Sequence, residues 1–344
     1  PGLHPGGTRC GPLVARGPTG ARRHHRVSVA PLAVTGATGF IGGTVASVLT
    51  ARGQEVRCLL RRDPGAGFPW PYVVVDPGST QSLTEGLRGC SGVAHLAIVN
   101  DFHGLYADRA AAYDGYVGLT RRVVDAANAV EARVGYVSTD WVFDGTGHLV
   151  TEAETPNPVN LYGYLKAASE LVVLHRATAG FVARVGGVQG LHQTQTAGPR
   201  TQDVGFGYFV LALVDALRAG GRFTVWEDPA INAVATPIVS AEIGALLGRA
   251  FDMAAQGVLH FAGGSAVTRR ALAEAACAVF GLDGSRVDFG PPPEEARLPA
   301  PVPFDTSMSG EWTAGLLGTR TWLIADQLAA LDRELATGAP TPLS

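Results

Sequence analysis

The chain contains one lysine, Lys166, among 27 basic residues otherwise made of arginine. It stands four residues after Tyr162 in "YGYLK". On a helix, positions i and i+4 share one face, so this spacing brings a phenol and an ammonium together. A free phenol has a pKa of about 10 and exchanges protons poorly at neutral pH. Lowering it by three units takes roughly 4 kcal/mol, which a nearby ammonium together with a second positive charge can supply in a dry site. Arginine would keep the charge, but its planar fork is a poor substitute for a compact ammonium. Upstream lies "STDWVFDG" (138–145), which leaves an apolar run at 134–139. In open α/β sheets ligands bind outside the carboxyl ends of the strands, so the Thr139 hydroxyl can reach both a carbonyl substrate and Tyr162.

A second constellation is Gly36-Ala-Thr38-Gly39-Phe40-Ile41-Gly42. Gly-rich turns are common, but this one follows a short apolar run and opens a helical repeat, as a dinucleotide site requires. Gly36 suits the tight turn, Gly39 admits a pyrophosphate, and Gly42 allows the helix to pack close to the sheet. The helix start then offers N–H groups and a positive dipole end to phosphates. Sites selective for NAD place an acid at the end of the second strand. Here that place is Leu60, followed by Arg61 and Arg62, which suit a 2′-phosphate. NADP is therefore expected, with NAD the lesser alternative.

The elements that must hold these groups alternate. Strands are expected at 32–35, 55–60, 72–76, 92–99, 134–139 and 180–185. Helices are expected after Gly39, near Leu83, over 105–130 and over 161–178. Strands apolar on both faces, separated by helices, imply an α/β fold: a doubly wound parallel sheet of Rossmann type. Residues 31–185 form the dinucleotide-binding domain on this reading, and 186–344 mainly a smaller substrate lobe, with some segments returning to the sheet. That lobe should hold helices at 206–219, 240–254 and 268–280, and strands at 223–226 and 257–261. The Gly-, Gln- and Thr-rich stretch 186–207 suits a mobile loop over a pocket. Residues 1–30, with no acid before Glu55, read as a disordered extension.

Composition narrows the partners. The net charge is −3, which gives no basic face for nucleic acid. No apolar run approaches the roughly 20 residues of a membrane span. Cys10, Cys58, Cys90 and Cys277 are scattered without metal spacing, which suits reduced thiols in a cytoplasmic protein. His95, His103, His148, His175 and His260 show no metal spacing either and read as packing or surface residues. "WED" (226–228) reads as a strand end and turn.

Together these motifs resemble the extended short-chain dehydrogenase/reductase family, over about residues 31–335. Within it, "VSTDWVFDG", "ETPNPVNLYGYLKAASE" and "GVLHFAGGSAVTRRALAEAACAVFGL" are most similar to the branch of dTDP-4-dehydrorhamnose reductases and their sugar-nucleotide-binding relatives. The resemblance implies Thr139, Tyr162 and Lys166 as a catalytic triad. It implies cofactor contacts from the glycine-rich turn, Asp76, Leu96, Ala97, Tyr162 and Lys166, and substrate contacts from Asp140 and Trp141. It further implies a nucleotide-sugar substrate and a homodimer. Three departures stand out. Nucleotide-sugar dehydratases carry an acid pair after the threonine, whereas Trp141 follows Asp140 here, which disfavours dehydration. The family's usual Asn falls near Gly115. "APVPFDTSMS" lacks the Arg often found there, which leaves open whether the substrate is the common one. The reading that results is an NADP-dependent reductase of a nucleotide-activated 4-keto-6-deoxy sugar. Alternatives are an epimerase or other carbonyl reductase, or a non-catalytic NADP-binding regulatory subunit. The arginine pair argues against an NAD-retaining epimerase, and the intact triad against a pure binder.

Overall fold

A computed structural model describes residues 30–98, 102–194 and 202–344, with Phe102 and His103 described by their backbone alone. The expected extension before residue 30, Cys10, the side chain of His103, residue 99 and residues 195–201 of the expected loop lie outside the described residues.

The strands run β1 (Leu32–Thr35), β2 (Val56–Leu60), β3 (Tyr72–Val74), β4 (Gly92–His95), β5 (Arg133–Thr139) and β6 (Gly180–Val185). They continue with β7 (Val188–Gln189), β8 (Phe223–Trp226), β9 (Val234–Ala235), β10 (Ile238–Val239), β11 (Gly257–Phe261), β12 (Val267–Thr268) and β13 (Val287–Gly290). The helices are α1 (Phe40–Ala51), α2 (Thr80–Leu87), α3 (Phe102–Ala107), α4 (Arg109–Tyr113), α5 (Leu119–Ala129), α6 (Leu161–Arg176), α7 (Phe209–Arg218) and α8 (Ser240–Asp252). They end with α9 (Arg269–Phe280), α10 (Glu311–Leu316) and α11 (Ile324–Thr337).

Seven strands form one parallel sheet in the order β11-β6-β5-β4-β1-β2-β3. Its inner strands are buried almost throughout, as helices on both faces require. Helices α1 and α8 cover one face through Val45, Leu49, Ile243 and Leu247. Helices α2, α5 and α6 cover the other through Leu83, Val123, Val124 and Val173. A separate apolar cluster joins α7, α9 and α11 to the paired strands β8 and β13. The seventh strand, β11, and helix α8 come from the downstream part of the chain and complete the sheet layer.

The order reverses between β1 and β4, so consecutive crossovers depart to opposite sides and leave a crevice at their carboxyl ends. Three expected elements need correction. The strand expected at 92–99 ends at His95. The expected strand 72–76 spans only Tyr72–Val74, at the exposed sheet edge. The expected continuous helix over 105–130 is broken. Asp108 caps α4 by accepting from the Ala111 N–H at 2.9 Å, and a π-helical turn at Asp114–Gly118 precedes α5. Arg122 clamps that turn through both carboxylate oxygens of Asp114.

Candidate active site

The end of β5 builds the centre of the site. Thr139 closes the strand, and its hydroxyl accepts from the Trp141 N–H at 3.2 Å and donates to Asp140 Oδ1 at 3.0 Å. The chain then makes one tight turn, Asp140–Val142. Helix α6 begins against that turn. Asn160 caps it by accepting from the Gly163 N–H at 2.9 Å, and is itself fixed by donating to the Pro301 carbonyl at 3.0 Å. A β-carbon on Gly163 would lie 2.3 Å from the Trp141 carbonyl oxygen, so only glycine permits this approach. The close approach places Tyr162 beside the strand end. Its ring meets Trp141 edge-to-face at 5.9 Å and Tyr116 at 6.1 Å.

Burial pushes the Tyr162 phenol up to about 12, and a hydrogen bond with Thr139 opposes this. The lowering expected from Lys166 is therefore absent in the chain alone. The lysine lies against the backbone of β5. Lys166 is 3% exposed, and its Nζ donates to the Val137 carbonyl at 2.5 Å. Burial pulls it down to about 7, with the Glu170 carboxylate opposing. Asp140 is buried too. Desolvation raises it to about 6, and hydrogen bonds from Thr306 and Thr139 oppose the rise. Asp140 and Trp141, expected at the substrate, are thus mostly enclosed, and Asp140 holds the Thr139 hydroxyl.

The glycine-rich turn lies at the end of β1. Gly36 has φ +75°, and a β-carbon there would stand 2.9 Å from the Ala97 nitrogen. The loop after β4 is drawn this close because Leu96 and Ala97 both donate to the Thr35 hydroxyl at 3.1 Å. Gly42 corrects an expectation. A β-carbon on it would lie 2.2 Å from the Gly36 carbonyl oxygen, so it packs the helix against the turn rather than against the sheet. Gly39 opens α1 without a side-chain cap, and the first turn carries no acid. Such a helix start fits a phosphate group. Arg61 and Arg62 follow β2, are exposed, and form no ion pair among the described residues. Asp76 follows β3 with its carboxylate turned to its own loop, accepting from the Gly78 N–H at 2.8 Å.

His95 and His260 are core residues. His95 is bonded to Thr35 at 2.8 Å and to Thr120 at 3.2 Å, and His260 Nδ1 meets the Ser309 carbonyl at 3.2 Å. His148 pairs with Asp305, and His175 is exposed.

Several groups at the site carried no signal in the sequence. Thr306 reaches Asp140 from far downstream, and Asn232 binds the Pro303 and Phe304 carbonyls beside it. Trp141 packs with Val204 and Ile231, joined by Trp226, Leu298 and Val302, to form an apolar wall next to Tyr162. "WED" thus borders this wall through Trp226, while Glu227 and Asp228 pair with Arg270 and Arg297.

The chain has relatives along most of its length. It is 29% identical over 298 residues to dTDP-6-deoxy-L-talose 4-dehydrogenase (NAD(P)(+)) of Kitasatospora kifunensis, covering 82% of this chain and 86% of that protein. It is 28% identical over 312 residues to dTDP-4-dehydrorhamnose reductase of Mycobacterium tuberculosis (strain CDC 1551 / Oshkosh), covering 87% and 92%. Among solved structures, dTDP-4-dehydrorhamnose reductase from Bacillus anthracis in complex with NADP shares the fold. Its TM-score is 0.71 at 18% identity, over 89% of this chain and 99% of that one. Residues 30–331 match the RmlD substrate binding domain, and the chain belongs to that family, a branch of the extended short-chain dehydrogenases/reductases.

Proposed function

We propose that this protein is an NADP-dependent reductase of a nucleotide-activated 4-keto-6-deoxy sugar. The observation that carries the reading is the hydrogen bond between Thr139 and Tyr162 at the carboxyl end of β5, with Lys166 bonded to the Val137 carbonyl two residues earlier in the same strand. The relatives named above act on dTDP-sugars, which supports the substrate class. The cradle fits a dinucleotide: Gly36 and Gly42 keep the turn tight, and the uncapped start of α1 faces outward for a pyrophosphate. Bound there, NADPH supplies the hydride.

The chain's own residues do the rest. Tyr162, with a phenol held near 12, is fully protonated in the neutral range and is a loaded proton donor for the keto oxygen. Thr139, placed by the Trp141 N–H, turns its single hydroxyl proton from Asp140 to that oxygen and so polarises it. Lys166 holds the ribose hydroxyls and balances the phenolate left after proton transfer. Trp141 and its neighbours exclude water from the far side. Arg61 and Arg62 take the 2′-phosphate in charge-assisted hydrogen bonds. Asp76, Leu96 and Ala97 line the same cofactor cleft. The working particle is a cytoplasmic homodimer.

The test is the fall in nicotinamide absorbance with dTDP-4-keto-6-deoxyglucose, comparing NADPH with NADH. Oxidation that prefers NADPH and requires Tyr162 is expected. Turnover unchanged in Tyr162→Phe would sink the assignment.

A further inference from the structure

Lys166 needs a positive charge for the role proposed above, yet it sits where charge is disfavoured. Its side chain is 3% exposed, and burial alone would neutralise it. Two groups work the other way. Nζ lies over the ring of Tyr136, 4.3 Å from its centroid. Glu170 follows Lys166 by four residues, on the same face of α6. Glu170 is held by Ser138 Oγ at 2.5 Å and by Arg184 at 2.8 Å. Arg184 is a full positive charge on the far side of that carboxylate and takes up much of its field. The aromatic face is the unshared negative partner. Tyr136 is itself 1% exposed, in mid-strand, with the His95 ring 5.6 Å away, so its ring has no freedom to turn aside.

We infer that Tyr136 is a positioning residue of this site: its ring, backed by Glu170, keeps the Lys166 ammonium charged, one turn of α6 from Tyr162. A cation over a desolvated ring is stabilised strongly enough to hold a lysine pKa up by about one pH unit. The other titratable groups around Lys166 do not replace it. Tyr162 on the same helix and Tyr116 on the π-helical turn are pushed up by burial and stay neutral. His95 on β4 is lowered to about 3 by burial and by Lys166 itself, so it stays neutral too. Asp140, in the turn after β5, is engaged by Thr139 and Thr306. Arg184 on β6 is paired to Glu170.

The single lysine makes the test direct. Lysine labelled with carbon-13 at Cε gives one side-chain resonance in the whole chain, and its pH titration without cofactor reads Lys166 alone. Burial and Glu170 alone put the midpoint near 7, so the ring should hold it above that, with the ammonium present below the midpoint and lost above it. Tyr136→Phe keeps the aromatic face and should leave the midpoint in place. Tyr136→Leu should lower it by about one pH unit. A 3,5-difluorophenylalanine at position 136 keeps the shape, weakens the face, and should lower it by a smaller step. A midpoint unmoved by the fluorinated residue and by Tyr136→Leu overturns the inference. The fluorinated chain decides the matter if the leucine variant does not fold. The importance of the charge rests on the proposed reductase reading, but the titration does not. A midpoint that shifts in a protein without reductase activity would uphold the seat and remove the function.

Discussion

At the scale of single residues, the proposed mechanism divides a proton donor from the charge that must tolerate its loss. Tyr162, held near 12, keeps its proton throughout the neutral range, whereas Lys166, near 7, gives its proton up as pH rises. Activity of the free enzyme should therefore be full below about pH 7 on the lysine's account and decline above it. The alkaline limb of kcat/KM should follow the lysine resonance rather than any tyrosine titration. Tyr162→Phe should lose roughly 10²–10⁴-fold in kcat, the usual worth of a positioned acid, while NADPH binding persists in a fluorescence titration. On the proposed reading, the arginine pair would meet only the far end of a bound cofactor. Replacing Arg61 and Arg62 together by Ala removes two charge-assisted hydrogen bonds. KM for NADPH should rise on the order of 10- to 100-fold while that for NADH stays unchanged. An equal loss with both cofactors would mean that the two arginines do not read the 2′-phosphate.

At the scale of elements, the register between β5 and α6 decides whether these residues meet. Gly163 is the pivot. A methyl group there would press on the Trp141 carbonyl at 2.3 Å and on Pro158 Cβ at 2.7 Å, and neither the turn nor the proline yields easily. Gly163→Ala should cost about 1–3 kcal/mol, read as a fall of several degrees in Tm. Turnover should fall further than stability, because the first turn of α6 carries Tyr162 itself. A variant with lowered Tm and full turnover would separate the two elements from the chemistry. Much of this arrangement was legible in the sequence. Strands buried on both faces announce themselves as continuous apolar runs, and β6, β8 and β11 fall where the pattern put them. The helix over 105–130 misled because its apolar spacing continues through the break. The deciding signals were local and polar: the Asp108 cap and the Asp114–Arg122 clamp. Thr306, Asn232 and Glu170 were not legible as parts of the site, since their meaning depends on partners far along the chain or on another strand.

At the scale of the whole molecule, the sheet has buried one side of α6 and left the other unexplained. Tyr164, Leu171 and Leu174 share a stripe on its outer face and remain 59%, 58% and 37% exposed. Isolated exposed apolar residues are ordinary, but three on one helical stripe form a patch that soluble proteins usually cover. The inner face of the same helix carries Tyr162 and Lys166, so a partner seated on the outer face would brace the element on which the proposed chemistry depends. The second copy of the chain is the expected occupant, related by a two-fold axis that sets α6 against its counterpart. Light scattering at micromolar concentration should give the mass of a dimer. Leu171→Glu places two charges in the centre of such an interface and should give the mass of a monomer. Its Tm should then lie below that of the wild type and cease to depend on protein concentration. Because Leu171 is more than half exposed in the single chain, the substitution should not unfold the monomer itself. A wild-type chain that scatters as a monomer at every concentration would remove the dimer and leave the stripe to another partner.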